Sequence, residues 1–129
     1  MADAGLTIER LKKRADFLAC AQAPSCARGS VVVQARARDS APLVRVGFTA
    51  TRRVGGSVVR NRAKRRMREA ARRLLPELAS PGFDYVFIAR GGLAARPWER
   101  LLDDVKSALI RLAADRDRAR DRNPSAPLP

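Results

Sequence analysis

The sequence contains no histidine, only two cysteines and few acidic residues, and each shortage excludes a class of protein. Cys20 and Cys26 stand six positions apart without a second pair, which fits neither a structural zinc site nor a redox CxxC motif. We expect two reduced, mainly structural thiols. Asp84, Asp103 and Asp104 do not form the clustered carboxylates that a two-metal phosphodiesterase requires. The sequence therefore predicts no catalytic and no metal-binding residues.

Long apolar runs are also missing. No uncharged stretch of about 20 apolar residues could span a bilayer, and the first residues lack the apolar core of a signal peptide. We expect no membrane association and a soluble, cytoplasmic protein.

The abundant residues are basic. Lysine and arginine number 27 against 13 acidic residues, giving a net charge of +14, which indicates a polyanionic partner. Nucleic acid, a membrane surface and an acidic protein all remain possible. Most of the basic residues are arginine. This bias could reflect genomic composition, but it also supplies planar guanidinium groups suited to binding phosphate. With 46% apolar residues among 129, the chain can fold as one domain.

Hydrophobic periodicity predicts three strands and three helices in a mixed α+β domain. The strands over 30–37 and 43–50 should be antiparallel neighbours, and the short apolar strand over 84–90 should lie inside the sheet. Ser57 can cap a long central helix that meets no Gly or Pro before Pro76. Helices are also expected over 14–23 and 98–112. We expect one RNA-binding domain over 1–114 and a disordered, charged and Pro-rich tail over 115–129.

Positive charge is concentrated in one fifth of the chain. Residues 52–73 contain ten basic residues and one acid, which accounts for +9 of the total +14. Like charges at helical spacing repel each other, so this density suggests a function that needs it. The small Ala, Val and Met side chains of the helix lack the bulk typical of membrane-surface helices.

Helical geometry separates the two sides of this segment. An apolar stripe within an arc of about 80° should face the sheet; it consists of Val59, Ala63, Met67, Ala70 and Leu74. The outer face and both flanks are basic or polar; they comprise Arg60, Asn61, Arg62, Lys64, Arg65, Arg66, Arg68, Arg72 and Arg73. Arg52 and Arg53 add two cations in the loop before the helix, where backbone N–H groups also favour phosphate.

The segment GFTATRRVGGSVVRNRAKRRMREAARRL resembles the signature of the bacterial ribonuclease P protein subunit. The Arg60-Asn61-Arg62 triplet after a basic pair, a glycine and a small-Val step carries the resemblance. RLKKRADF near the start and DYVFIAR over 84–90 extend it to about residues 8–112. The resemblance implies a two-layer α/β sandwich of order αβββαβα, ribosomal-protein-like, with a left-handed βαβ crossover against the usual right-handed rule. That order has one strand more than the periodicity shows.

The resemblance also implies a function. In that family the protein binds a catalytic RNA and the 5′ leader of precursor tRNA, and the RNA removes the leader with bound Mg²⁺. The protein would be a non-catalytic monomeric subunit in a 1:1 complex, holding no cofactor of its own. The implied RNA-binding residues are Arg52, Arg53, Arg60, Asn61, Arg62, Lys64, Arg65, Arg66 and Arg68.

The implied leader cleft contains Phe17, Val33, Arg60 and Asn61. Two positions where the family often has aromatics are here Ala21 and Val33, so leader contact would depend more on charge and on Phe17. From spacing alone, core packing of Phe17 on its helix is an equally good reading, and Asn61 could be an ordinary polar residue of a first helical turn.

Two other functions share these features. A ribosomal or other structural RNA-binding protein would have the same size, charge and lack of catalytic groups. A small DNA-binding regulator is less compatible, because a recognition helix presents varied base-reading side chains and this one is almost uniformly arginine.

Overall fold

The computed structural model describes the backbone of residues 7–122 and the side chains of residues 7–119. Its strands are β1 Thr7–Arg10, β2 Ser25–Arg28, β3 Val31–Ala37, β4 Leu43–Thr49 and β5 Phe83–Ala89. Its helices are α1 Arg14–Ala21, α2 Ser57–Leu78 and α3 Trp98–Arg122, with short 3-10 turns at Arg52–Val54 and Leu93–Ala95. The three strands and three helices expected from periodicity are confirmed. The two shortest strands, β1 and β2, were not foreseen.

The five strands form one sheet in the order β1-β4-β5-β3-β2. Strand β5 lies at the centre, antiparallel to β3 and parallel to β4. The expectation that β3 and β4 are neighbours is therefore wrong, because β5 separates them. Five of the seven residues of β5 are buried, as expected for a central strand that is covered on both faces.

The unit β4-α2-β5 joins two parallel neighbouring strands through the basic helix. From α1 onward the order is αβββαβα, as the family resemblance implies, and β1 precedes it as a parallel partner of β4. The family resemblance leads us to expect that the crossover from β4 through α2 to β5 is left-handed.

The main core lies between the sheet and the layer formed by α2 and α3. Alternating strand residues such as Val33 and Phe87 pack there against Met67 of α2 and Leu101 of α3, and all four are fully buried. The sheet and this helical layer form the expected sandwich. Helix α1 covers part of the opposite face, where a smaller cluster of Leu11, Cys20 and Val86 is buried.

Helix α3 is longer than its apolar pattern indicates. It runs to Arg122, so the expectation of disorder from residue 115 is wrong for residues 115–122. Ion pairs at helical spacing, among them Arg111 with Asp115, extend the helix beyond its apolar stripe. The rest of the expected tail, 123–129, and the first six residues lie outside the described part of the chain.

A buried carboxylate fixes α3 against the sheet. Asp104 accepts hydrogen bonds from the backbone N–H and the hydroxyl of Ser30, at 3.0 and 2.9 Å, and from the Arg96 guanidinium. Gly29 is left-handed at φ +51° and passes so close that a Cβ there would lie 2.3 Å from the Asp104 carboxylate.

Along residues 7–122, no helix is long and apolar enough to cross a bilayer.

Candidate nucleic-acid interface

A glycine turn sets the start of the basic helix. Gly55 has φ +151°, and a Cβ there would lie 2.9 Å from the Val59 side chain, so only glycine brings the chain this close to the first helical turn. Gly56 rather than Ser57 is the N-cap residue. The 3-10 turn that precedes it presents Arg52 and Arg53 to solvent.

Small side chains anchor the inner side of α2. The buried residues of the helix are Ala63, Met67, Ala70, Ala71 and Leu75. This is the predicted stripe displaced toward the C-terminus: Leu74 is only partly buried, and Val59 remains 39% exposed. The buried positions begin at Ala63, so residues 57–62 at the start of the helix contribute no fully buried side chain.

The outer side of α2 is cationic and open to solvent. Asn61, Arg62, Arg65 and Arg68 are exposed and Lys64 is half-exposed. Asn61, Lys64, Arg65 and Arg68 surround a shallow hollow of about 400 Å³ together with Val58, which is 78% exposed. We call this surface the cationic face; it consists of Arg52, Arg53, Val58, Asn61, Arg62, Lys64, Arg65 and Arg68.

Arg60 lies at the edge of this surface. It is half-buried at the first turn of the helix, and its Nε is buried without a hydrogen-bond partner among the described residues.

Arg66 is bonded within the domain. Its guanidinium donates to the carbonyl oxygens of Leu93 and Ala94, at 2.6 and 3.1 Å, and to that of Arg96. It also lies 5.7 Å from the ring centroid of Trp98. Burial, followed by the charge of Arg62, lowers the pKa of Arg66. Its Nη donors join α2 to the loop before α3, so the structure gives Arg66 a packing role, and its contact with RNA stays a prediction.

The far end of the helix is partly neutralised. Glu69 pairs with Arg72, at 2.5 Å, and with Arg73, at 3.0 Å. These two guanidinium groups lower the pKa of the exposed Glu69 carboxyl to about 2. The free positive charge of α2 is therefore greatest between Asn61 and Arg68.

The opposite face of the sheet holds Phe17. Its half-buried ring lies directly on the backbone of Gly47, where a Cβ would be 2.5 Å from the ring carbons. Leu11, Val86 and Ile88 complete this cluster. Packing and ligand contact are both compatible with a ring that is only half covered.

Val33 is not part of that surface. It has no exposed area and points into the main core, on the side of the sheet opposite to Phe17. Its assignment to the leader cleft is therefore wrong, since strand side chains alternate between faces. Its neighbour Val32 pairs with Ile88 and is the residue on the Phe17 side. Arg60 and Asn61 lie on α2, in the other layer.

An arginine cluster on the Phe17 side escaped the sequence analysis. Asp84 of β5 is fully buried and bonds to Arg38 at 2.6 Å, Arg45 at 2.7 Å and Arg36 at 3.4 Å, and Asp16 of α1 lies 3.2 Å from Arg45. We call these five residues the Asp84 cluster. Burial by itself would raise the pKa of Asp84, but hydrogen bonds from Arg45 and Arg38 outweigh it and lower that pKa. Gln34, Arg36 and Arg38 alternate with apolar or small residues along and just after β3, a pattern that could have indicated a shared polar face.

The two cysteines are free and buried, as expected. Cys26 lies in the main core and Cys20 in the smaller cluster, so the sheet separates them. Burial, followed by the charge of Asp84, raises the pKa of the Cys20 thiol to about 11, which leaves it unreactive at neutral pH. Along residues 7–122, no three His, Cys, Asp or Glu side chains are grouped as a metal site would need.

Comparison with known proteins gives a consistent result. The family model described as Ribonuclease P matches residues 7–113. The ribonuclease P protein component of Caulobacter vibrioides is 64% identical over 121 residues, covering 92% of this chain and 81% of that protein. The corresponding component of Ruegeria pomeroyi is 51% identical over 116 residues, covering 88% and 91%. The structure of the RNase P protein from Thermotoga maritima superposes with a TM-score of 0.67 at 29% identity, covering 79% of this chain and 96% of that one.

Proposed function

Since the chain belongs to the ribonuclease P protein family, we propose that it binds the catalytic RNA of ribonuclease P and the 5′ leader of precursor tRNA, and assists removal of that leader. The observation that carries the proposal is the cationic face. Its cations form no ion pair with any other described side chain, most of them are exposed, and the helix that carries them is anchored in the core by its other side. Such an array neutralises phosphates and releases counterions on binding RNA.

The chemistry belongs, in this proposal, to the RNA subunit and its Mg²⁺ ions. The two buried carboxylates among the described side chains support this division, because Asp84 and Asp104 are already bonded to arginines. The protein supplies charge neutralisation and position. We propose that it acts in the cytoplasm as a monomer in a 1:1 complex with the RNA.

Leader contact is assigned to the surface around Phe17. Its ring lies half-exposed over Gly47, and the partly exposed Arg36 and Arg45 lie on the same side of the sheet. A base could stack on the ring while the arginines approach the phosphates. Stacking on one aromatic contributes about 1 to 3 kcal/mol per base. The Asp84 cluster keeps these arginines in place.

Reconstitution tests the proposal. The protein is mixed with a bacterial ribonuclease P RNA and a precursor tRNA at low Mg²⁺, and leader removal is measured against each component alone. We expect cleavage that neither component gives by itself. Absence of stimulation, with the protein bound to the RNA, would favour a structural RNA-binding role instead.

Leader contact is tested separately with a substrate series. Precursor tRNAs with leaders of decreasing length are compared in the reconstituted enzyme, using wild-type protein and Phe17→Leu. We expect the preference for a long leader to shrink in the variant while the affinity for the catalytic RNA is kept. An unchanged preference would limit Phe17 to core packing.

A further inference from the structure

A groove runs between the edge strand β1 and the basic helix α2, on the side of the sheet away from Phe17. It encloses about 480 Å³, within the range of pockets that hold small organic groups. Ile8, Phe48 and Leu75 supply apolar walls, and three guanidinium groups, those of Arg10, Arg68 and Arg72, surround them. Nothing in the proposed function uses this groove.

The walls of the groove are suited to a flat aromatic group. The Phe48 ring is held edge-on against Phe87, with the ring centroids 5.6 Å apart. The guanidinium of Arg68 lies 5.9 Å from the Phe48 centroid. A phenyl ring and a guanidinium plane are the two protein surfaces on which unpaired bases most commonly stack. Ile8 adds an apolar side chain that is 36% exposed on the facing strand.

Charge distinguishes between possible occupants. Among the charged residues that line the groove, three are arginines and one, Glu9, is acidic. Arg72 is paired with Glu69, so Arg10 and Arg68 are the cations left for an anion. An apolar peptide or a second copy of this basic chain would bring no anion to these cations. A nucleotide would bring both a base for the apolar walls and a phosphate for the rim.

The groove is continuous with the cationic face. Arg68 borders both the groove and the hollow formed by Asn61, Lys64 and Arg65. A strand whose phosphates follow α2 therefore reaches the groove without leaving the positive surface. We propose that the groove receives one unpaired base of single-stranded RNA, an inference that rests on the RNA-binding function proposed above.

Two oligonucleotides of equal charge test this site. The first is a single-stranded RNA of about 12 nucleotides, and the second has the same backbone with abasic positions in its central part. Affinity is measured by fluorescence anisotropy for the wild-type protein and for Phe48→Leu, which keeps apolar volume but removes the aromatic ring. Phe83→Leu is the matched control, because it removes a half-buried ring outside the groove, and Phe17→Leu tests the stacking surface proposed for the leader. Ile8→Gln changes a groove wall without entering the core.

We expect the wild-type protein to bind the complete RNA about fivefold or more tightly than the abasic RNA. This preference should fall markedly in both Phe48→Leu and Ile8→Gln, while the affinity for the abasic strand stays the same. Equal affinity for the two oligonucleotides, or a preference that persists in both groove variants and disappears in Phe17→Leu, would overturn the proposal. A concentration-dependent dimer that Ile8→Gln abolishes would also overturn it, by assigning the groove to a second copy.

Failure of this inference is distinguishable from failure of the proposed function. If only the groove assignment is wrong, wild-type protein still stimulates leader removal by the catalytic RNA. If the function itself is wrong, that stimulation is absent whatever the oligonucleotides show.

Discussion

Arginine serves two different purposes on the two sides of this molecule. In the Asp84 cluster, Arg36, Arg38 and Arg45 are bonded to a fully buried carboxylate, and these bonds join β3, β4 and β5; only the partly exposed Arg36 and Arg45 can also reach the leader. On the cationic face, Arg62 and Arg65 are exposed and form none of the ion pairs found among the described side chains. The difference lies in the partners that each arginine has, since the residue type is the same. Charge counting alone therefore cannot locate a binding surface.

The largest effect is expected from neutralising the centre of the buried cluster. Asp84→Asn leaves three guanidinium groups around an amide that cannot balance them, and removing one partner from a buried ion pair costs about 3 to 5 kcal/mol. The free energy of unfolding, measured by urea denaturation, should fall by about this amount. Asp103→Asn, on the exposed side of α3, is the matched control and should leave stability within about 0.5 kcal/mol. A small loss in Asp84→Asn would mean that the cluster relaxes around solvent.

Acid unfolding gives a second measurement on the same cluster. The folded pKa of Asp84 is lowered, so its stabilisation is complete above the unfolded carboxyl value of about 4 and is lost as pH falls through the folded value. Stability of the wild-type protein should therefore decline below about pH 4. The decline should be shallower in Asp84→Asn. Equal slopes in the two proteins would assign acid sensitivity to other carboxylates.

The next effect concerns the exposed arginines. Arg62→Ala with Arg65→Ala should weaken RNA binding by about tenfold per lost phosphate contact, because ionic hydrogen bonds contribute about 1.5 kcal/mol or more. The slope of log affinity against log salt should flatten by about 0.7 to 0.9 for each contact. Stability should hardly change. An unchanged slope would place these side chains away from the phosphates.

Arg38→Ala supplies the complementary comparison. Its guanidinium is bound to Asp84, Asp39 and the Leu43 carbonyl oxygen, so the substitution should lower the free energy of unfolding. The salt dependence of RNA binding should remain that of the wild-type protein. A flatter slope would show that the two groups of arginine are not as distinct as their partners indicate.

The sequence revealed the elements better than it revealed their partners. The apolar strand over 84–90 and the helix beginning near Ser57 were both recognisable, because periodicity and glycine turns are local. The pairing of β5 between β3 and β4 was not, since it joins residues about 40 to 60 positions apart. All four residues of strand β1 are exposed, and the strand is defined by its pairing with β4. Its sequence therefore shows no alternation of buried and exposed residues that would predict a strand.

The candidate site shows the same limit. The positions of Arg62, Arg65 and Arg68 on the outer side follow from helical geometry, and the structure places them there. Arg66 belongs by spacing to a basic flank, but its acceptors lie about 30 residues further along the chain. Val33 was misplaced because the face of a strand changes with a shift of one residue.

Arg66 therefore behaves as a structural residue within a binding helix. Arg66→Gln removes donors to three carbonyl oxygens and a guanidinium beside Trp98, so we expect a loss of about 1 to 3 kcal/mol in thermal or urea unfolding. Because its Nη donors are engaged within the domain, the salt slope of RNA binding should not change. Arg65→Gln, one residue earlier, is the matched control and should show the reverse pattern.

The smallest effect is expected at Glu69, the one acid in this part of α2. Its carboxylate holds Arg72 and Arg73 in exposed pairs, which makes their charge less available than that of Arg65. Glu69→Gln releases both guanidinium groups, so RNA affinity at low salt should rise slightly and the salt slope should steepen if they reach phosphates. Glu77→Gln, near the end of the same helix, controls for the change in net charge. If both variants raise affinity equally, long-range attraction explains the gain, and the free cationic surface ends at Arg68.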